Sequence, residues 1–200
     1  MFIKQIIWAL KSQKEKTMKK ILAIITTFIL LTCNSAFSNN YINELSQYAL
    51  WKNSKNITVW VQPCEYSATV YNAFREWMIA SNNCVRFVDA KERTRANITV
   101  TFHPELNGLQ AGITNHYSAG KYMVKADIKL RYMRFGHNKK LTQDQMYAVA
   151  VHEIGHAIGI LGHSSNRNDI MYPTTDIIGI HASNRDVNTI RQFYCTNKYK

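Results

Sequence analysis

The sequence predicts an α+β domain, and three observations carry that prediction. Short β-branched and aromatic runs crowd the first two thirds of the chain. One helical pattern interrupts them, over residues 67–80. Two further helices follow, each opened by a capping signal. The first of these carries His152-Glu153-Ile154-Gly155-His156.

The elements can be justified in order. Residues 39–55 read as a short polar lead, too few for a folded pro-domain. Residues 57–61, Ile-Thr-Val-Trp-Val, are β-branched and aromatic, hence a strand. Between 67 and 80, Val70, Phe74, Trp77 and Met78 recur at helical spacing and form a core-facing stripe. Residues 84–88 and 97–102 repeat the strand pattern, and 109–114 and 122–130 add two more. Thr142 with Gln145 makes a capping box. Tyr147, Val151, Ile154 and Ile158 give the helix after it an apolar stripe beside the motif face. Ser183 with Asp186 caps a closing helix, along which Val187, Ile190 and Tyr194 follow at helical spacing.

The 200 residues suffice for one domain with a real core. Met18-Lys19-Lys20 opens a basic region, residues 21–31 are an apolar run, and Ala36-Phe37-Ser38 places small residues where a signal peptidase reads. Residues 1–38 are therefore expected to be a signal peptide, with Met18 an alternative start, and the apolar run is too short for a stable membrane span. Leu30-Leu31-Thr32-Cys33 approximates a lipobox and offers the minority alternative of lipoprotein anchoring. The expected organisation is signal peptide 1–38, lead 39–55 and one folded domain over 56–200, in an exported protein, secreted or periplasmic. Removing residues 1–38 takes six lysines and one glutamate, leaving 19 basic and 12 acidic residues, net +7. Such a charge favours solubility. No basic run interleaved with aromatics points to nucleic acid. An exported chain permits disulfides. Cys64 and Cys84 flank the first helix and are expected to pair, leaving Cys195 as a free thiol.

The chemistry lies in one stretch. Positions i and i+4 of a helix share a face, so His152 and His156 can hold one metal ion. Glu153 lies beside them, within reach of a metal-bound water. Gly159, Gly162 and His163 follow, then Asp169-Ile170-Met171-Tyr172-Pro173. On an unbroken helix His163 would lie about 10 Å along the axis from His156, at about 1.5 Å per residue. Zinc–nitrogen bonds are only about 2.0–2.1 Å, so a third ligand at His163 requires the helix to stop. Gly159 can take a left-handed C-cap conformation without strain. No glutamate follows Glu153, and Asp169, Asp176 and Asp186 remain alternative third ligands.

These residues resemble the metzincin zinc peptidases, and the matrixins in particular. That pattern is H-E-x-x-H-x-x-G-x-x-H followed by a methionine turn. Here the last histidine comes one residue late: Gly162 holds the eleventh place and His163 the twelfth. Over roughly residues 56–195 the resemblance implies a metzincin-like fold, a twisted mixed five-stranded sheet with an active-site helix, a Met-turn and a C-terminal helix. It implies one catalytic Zn²⁺ held by His152, His156 and His163, with Glu153 as catalytic base and Met171 as apolar support. An edge strand carrying Ala111 and Gly112 would bind the substrate, together with Tyr172 and Pro173. Thr175 stands where matrixins often have a pocket-wall tyrosine. The acidic loop of the family's calcium sites is missing, so structural calcium finds no support. A zinc-dependent endopeptidase acting on peptide or protein substrates is expected, as a monomer. The alternatives are a non-catalytic zinc-binding exported protein and a zinc amidase acting on cell-wall peptides.

Overall fold

The β-branched runs do form a sheet, and its order places the motif helix beside a free edge. The computed structural model describes residues 17–20, 40–45, 49–174 and 181–196. The strands are β1 Leu50–Trp51, β2 Ile57–Val61, β3 Phe87–Asp89, β4 Ile98–His103, β5 Gly112–Ala119 and β6 Tyr122–Arg131. Their order is β1-β6-β4-β2-β3, with β5 also paired to β6. The pairs along that path are parallel and β5–β6 is antiparallel, so the sheet is mixed. It has six strands rather than five. The addition, β1, comes from the stretch read as a polar lead, where isolated aromatics give no periodic signal.

Three helices complete the fold: α1 Ser67–Ala80, α2 Gln143–Ala157 and α3 Asn184–Tyr194. Both expected capping boxes are present, Thr142 with Gln145 on α2 and Ser183 with Asp186 on α3. Val70, Phe74 and Trp77 are buried as the stripe on α1 requires. The Trp77 indole N–H donates to the Val151 carbonyl at 2.8 Å, tying α1 to the middle of α2. Tyr41, Ala49, Leu50 and Trp51 are also core. Tyr41 is fully buried, and its hydroxyl donates to Asp186 at 2.8 Å.

Two strand boundaries differ from the sequence reading. Residues 81–85 are a turn rather than the start of a strand, because Asn82 and Asn83 take positive φ and the Ser81 hydroxyl accepts from Val85 N–H. The strand expected at 109–114 begins at Gly112 and continues through Asn115, His116 and Tyr117 to Ala119. These residues sit on an edge and are largely exposed, so they show no apolar alternation.

The disulfide pairing is also corrected: Cys84 joins Cys195, and Cys64 is an exposed free thiol. Cysteines at opposite ends of a 14-residue helix are held about 20 Å apart by its rise, far beyond the reach of a disulfide. The turn at 82–83 instead brings Cys84 to the C-cap of α3. There the Cα atoms lie 5.4 Å apart, and Arg191 Nε donates to the Ala80 carbonyl nearby.

The chain divides into two units, Met1–Asn39 and Asn40–Lys200. The expected signal peptide lies outside the described residues except for 17–20, and Thr175 and Asp176 lie outside them too. No helix among the described residues is long and apolar enough to cross a membrane.

Candidate active site

The last turn of α2 is built by residues from both flanks of the chain. Gly159 takes φ +102° just beyond the C-cap Ile158. Gly159 N–H donates to His156 O and Ile160 N–H to Gly155 O, the hydrogen-bond pattern of a Schellman motif. A Cβ at Gly159 would collide with the Ala49 carbonyl, so glycine is required for space as well as for φ. The Trp51 indole N–H donates to Ala157 O at 2.8 Å, and the Tyr194 hydroxyl donates to Ile158 O at 2.7 Å. The carbonyls that a helix end leaves orphaned are thereby satisfied.

This reversal aims the imidazoles. His156 Nδ1 lies 2.7 Å from Ile160 O, a carbonyl the turn itself delivers. His152 Nδ1 lies 2.8 Å from Ile170 O. A carbonyl can only accept, so both Nδ1 atoms carry the proton and both Nε2 atoms keep a free lone pair. His163 completes a triangle with ring centroids 4.9, 5.1 and 5.3 Å apart. One nitrogen from each ring lies within 4.8 Å of the others. Asp169 is occupied elsewhere, bonded to Ser164, Ser183 and Arg185. The Asp186 carboxylate is also occupied, accepting from the Ser183 and Ile170 N–H groups. Among the described residues the donor set is therefore three histidines, and three imidazole nitrogens on one face suit Zn²⁺.

Burial keeps these rings neutral, as metal ligands must be. It lowers His152 to about 3, with His156 adding to the effect, and lowers His156 to about 4. Burial also lowers His163. Glu153 moves the other way: burial raises its carboxyl to about 7, against the lowering effect of its hydrogen bond from Thr114.

Two residues of β5 fix the Glu153 carboxyl. Thr114 Oγ1 donates to Oε2 at 2.6 Å and lies 3.0 Å from the Glu153 backbone carbonyl. At Gly112 a Cβ would meet Glu153 Cγ at 2.5 Å and Oε1 at 2.6 Å. Gly112 is therefore the gap that the carboxylate fills. No local pattern signals either contact, because the partners are 39 residues apart for Thr114.

Met171 is fully buried, and its sulfur packs where a side chain at Gly155 would stand, between the two motif histidines of α2. A cleft of about 600 Å³ contains His152, Glu153, His156 and His163, walled by Ala111, Gly112, Thr114, Arg131, Pro173 and Thr174 among others. Tyr172 is not among its lining residues; its ring lies instead 5.9 Å from the Arg167 guanidinium. Arg131 had no signal in the sequence, since a lone arginine closing a strand looks like any surface cation.

Comparison with known proteins agrees with this geometry. A putative matrix metalloproteinase of Trichoplusia ni ascovirus 2c is 35% identical over 101 residues, covering 50% of this chain and 19% of the viral protein. Metalloendoproteinase 4-MMP of Arabidopsis thaliana is 28% identical over 153 residues, 72% of this chain and 44% of the plant protein. Metalloendoproteinase 2-MMP of the same plant is 25% identical over 195 residues, 80% of this chain and 48% of that protein. The chain thus spans less than half the length of these curated relatives. A family model described as matrixin matches residues 43–195. With that match covering the sheet, the histidine triangle and the closing helix, the chain belongs to the matrixin family.

Proposed function

We propose that the protein is an exported zinc-dependent endopeptidase. His152, His156 and His163 hold the metal, and Glu153 is the general base. The observation that carries this reading is a buried carboxyl one residue from the first of three convergent, neutral imidazoles. A structural zinc site has no use for that carboxyl, which counts against a non-catalytic zinc-binding protein. Zinc bound there supplies a Lewis acid for the water and the peptide carbonyl. Glu153 takes a proton from the attacking water and later delivers it to the leaving amine. A proton affinity raised to about 7 suits a group that must do both near neutrality. Thr114 holds Oε2 and fixes the direction from which the carboxyl works.

The substrate is expected to lie along β5, which among the described residues pairs only with β6 and leaves its other edge open for an added extended peptide. Ala111, Gly112 and Pro173 are the proposed contacts. The same cleft would accept a cell-wall peptide, so a zinc amidase remains the second reading on substrate. Export rests on the basic start at Met18, the apolar run 21–31 and the small residues before 39.

The test is a pair of variants. Glu153→Gln should keep zinc and fold while peptide hydrolysis falls by roughly 10²–10⁴-fold, the usual worth of a positioned base. His163→Ala should lose zinc affinity and activity together. Hydrolysis by Glu153→Gln at the parental rate would sink the mechanism.

A further inference from the structure

β6 ends at Arg131, and this residue walls two cavities at once. One is the cleft that holds the histidine triangle. The other is an adjoining pocket of about 490 Å³, lined by Met133, Arg134, Phe135 and His137 among others. Arg131 is only 8% exposed. Its Nε is buried and has no hydrogen-bond partner, and the side chain forms no ion pair among the described residues. The guanidinium rests on the Phe135 ring at 5.4 Å, a contact that attracts the cation without satisfying its N–H groups.

Such an arrangement is costly in an isolated molecule. A guanidinium cannot shed its proton, and a buried donor without an acceptor forfeits its hydration. The nearby carboxylates do not meet the need. Glu153 Oε2 is committed to Thr114. Glu105 lines the adjoining pocket but is exposed and forms no ion pair among the described residues. Arg134 and His137 give that same pocket further N–H donors. A ligand in the cleft can bring the group that completes Arg131. The planar fork of arginine matches a carboxylate better than any neutral acceptor does.

We propose that Arg131 is a specificity-determining residue that receives the side-chain carboxylate of an aspartate or glutamate in a peptide bound along the cleft. This rests on the endopeptidase reading above. It narrows the substrate class to peptides with an acidic residue close to the cleaved bond. A side-chain carboxylate is favoured over a terminal one because the open edge of β5 lets a chain run past the site in both directions.

The test uses binding, so that it does not depend on turnover. Zinc-loaded Glu153→Gln protein is titrated with acetylated, amidated decapeptides in which one position at a time is Glu or Gln. At one position Glu should bind about tenfold or more tightly than Gln, the usual worth of a hydrogen bond to a charged group. Adding Arg131→Gln should bring the ratio to about one. Arg131→Lys keeps the charge but not the fork, and should retain only part of the preference; it also serves if Arg131→Gln fails to fold. Equal binding of Glu and Gln peptides at every position overturns the proposal. So does a preference that survives both variants, or one seen only with a free terminal carboxylate. Parent enzyme that shows the Glu preference in binding yet cleaves none of the peptides would instead overturn the endopeptidase reading and leave the Arg131 site standing.

Discussion

Gly112→Ala isolates the contact that holds the Glu153 carboxyl. The backbone at 112 does not require glycine, since its φ lies outside the left-handed region, so an alanine is admissible there. The cost arises entirely from its Cβ, which would stand 2.5 Å from Glu153 Cγ, 2.6 Å from Oε1 and 2.7 Å from Cδ. Ordinary carbon contacts are about 3.5–4.0 Å, so the carboxyl must retreat by roughly 1 Å. Glu153 is buried and has little room to do so without leaving Thr114. A misplacement of about 1 Å costs on the order of 10²-fold in rate, or about 2.7 kcal/mol of barrier. Initial rates on a fluorogenic peptide should show that loss in kcat, while zinc content by atomic absorption stays at the parental level. The same substitution made on Glu153→Gln should cost far less, because the proposed base is already gone. An equal loss on both backgrounds, or parental kcat in the single variant, would refute the reasoning.

The other predictions concern the scaffold and the buried charges. Reducing the Cys84–Cys195 bridge, which closes a separation of 111 residues, should destabilise the domain by about 2–5 kcal/mol and lower its melting midpoint by roughly 5–15 °C. Peptide mapping of unreduced protein should find Cys84 joined to Cys195 and Cys64 free to alkylate; Cys64 in the bridge would refute the pairing. In the metal-free protein, burial raises Glu153 from the ordinary 4.5 to about 7. Its contribution is therefore complete below pH 4.5 and is lost as pH rises through 7. The stability of the parent relative to Glu153→Gln should fall by about 3 kcal/mol across that window. Denaturant titrations with a pH-independent difference would refute the shift. Tyr194→Phe removes the hydroxyl that donates to Ile158 O and accepts from Trp51 N–H. It should cost about 1–3 kcal/mol by leaving buried polar groups unpaired, and a midpoint equal to the parent's would count against the bracing described.

What could be read from the sequence was what local spacing encodes. His152 and His156 follow from a four-residue interval, the α2 and α3 starts from capping boxes, and β2 and β4 from β-branched runs. Gly159 could be inferred as a helix stop because only a stop lets His163 join the other two. The rest depends on neighbours far apart in the chain. Cys195 shows no sign of Cys84 until the turn at 82–83 is folded. Trp51 and Tyr41 sit in a polar stretch without period, yet both belong to the core. The second half of β5 is exposed on both faces, so it carries no buried, unbroken apolar alternation. The hold of Gly112 and Thr114 on Glu153 exists only once strand and helix meet.

The bracing of the α2 terminus has a consequence for the order of events during folding. The indole of Trp51 reaches a carbonyl 106 residues ahead of it, and the Tyr194 hydroxyl reaches one 36 residues behind. A nascent chain that has just emerged past His163 holds all three histidines but lacks the hydroxyl that ties off Ile158, and it lacks Asp186, which anchors Ile170 beside His152. The triangle is therefore braced on this side only once α3 has folded against it. A fragment truncated ahead of residue 184 lacks both ties, and it should bind zinc more weakly than the complete domain.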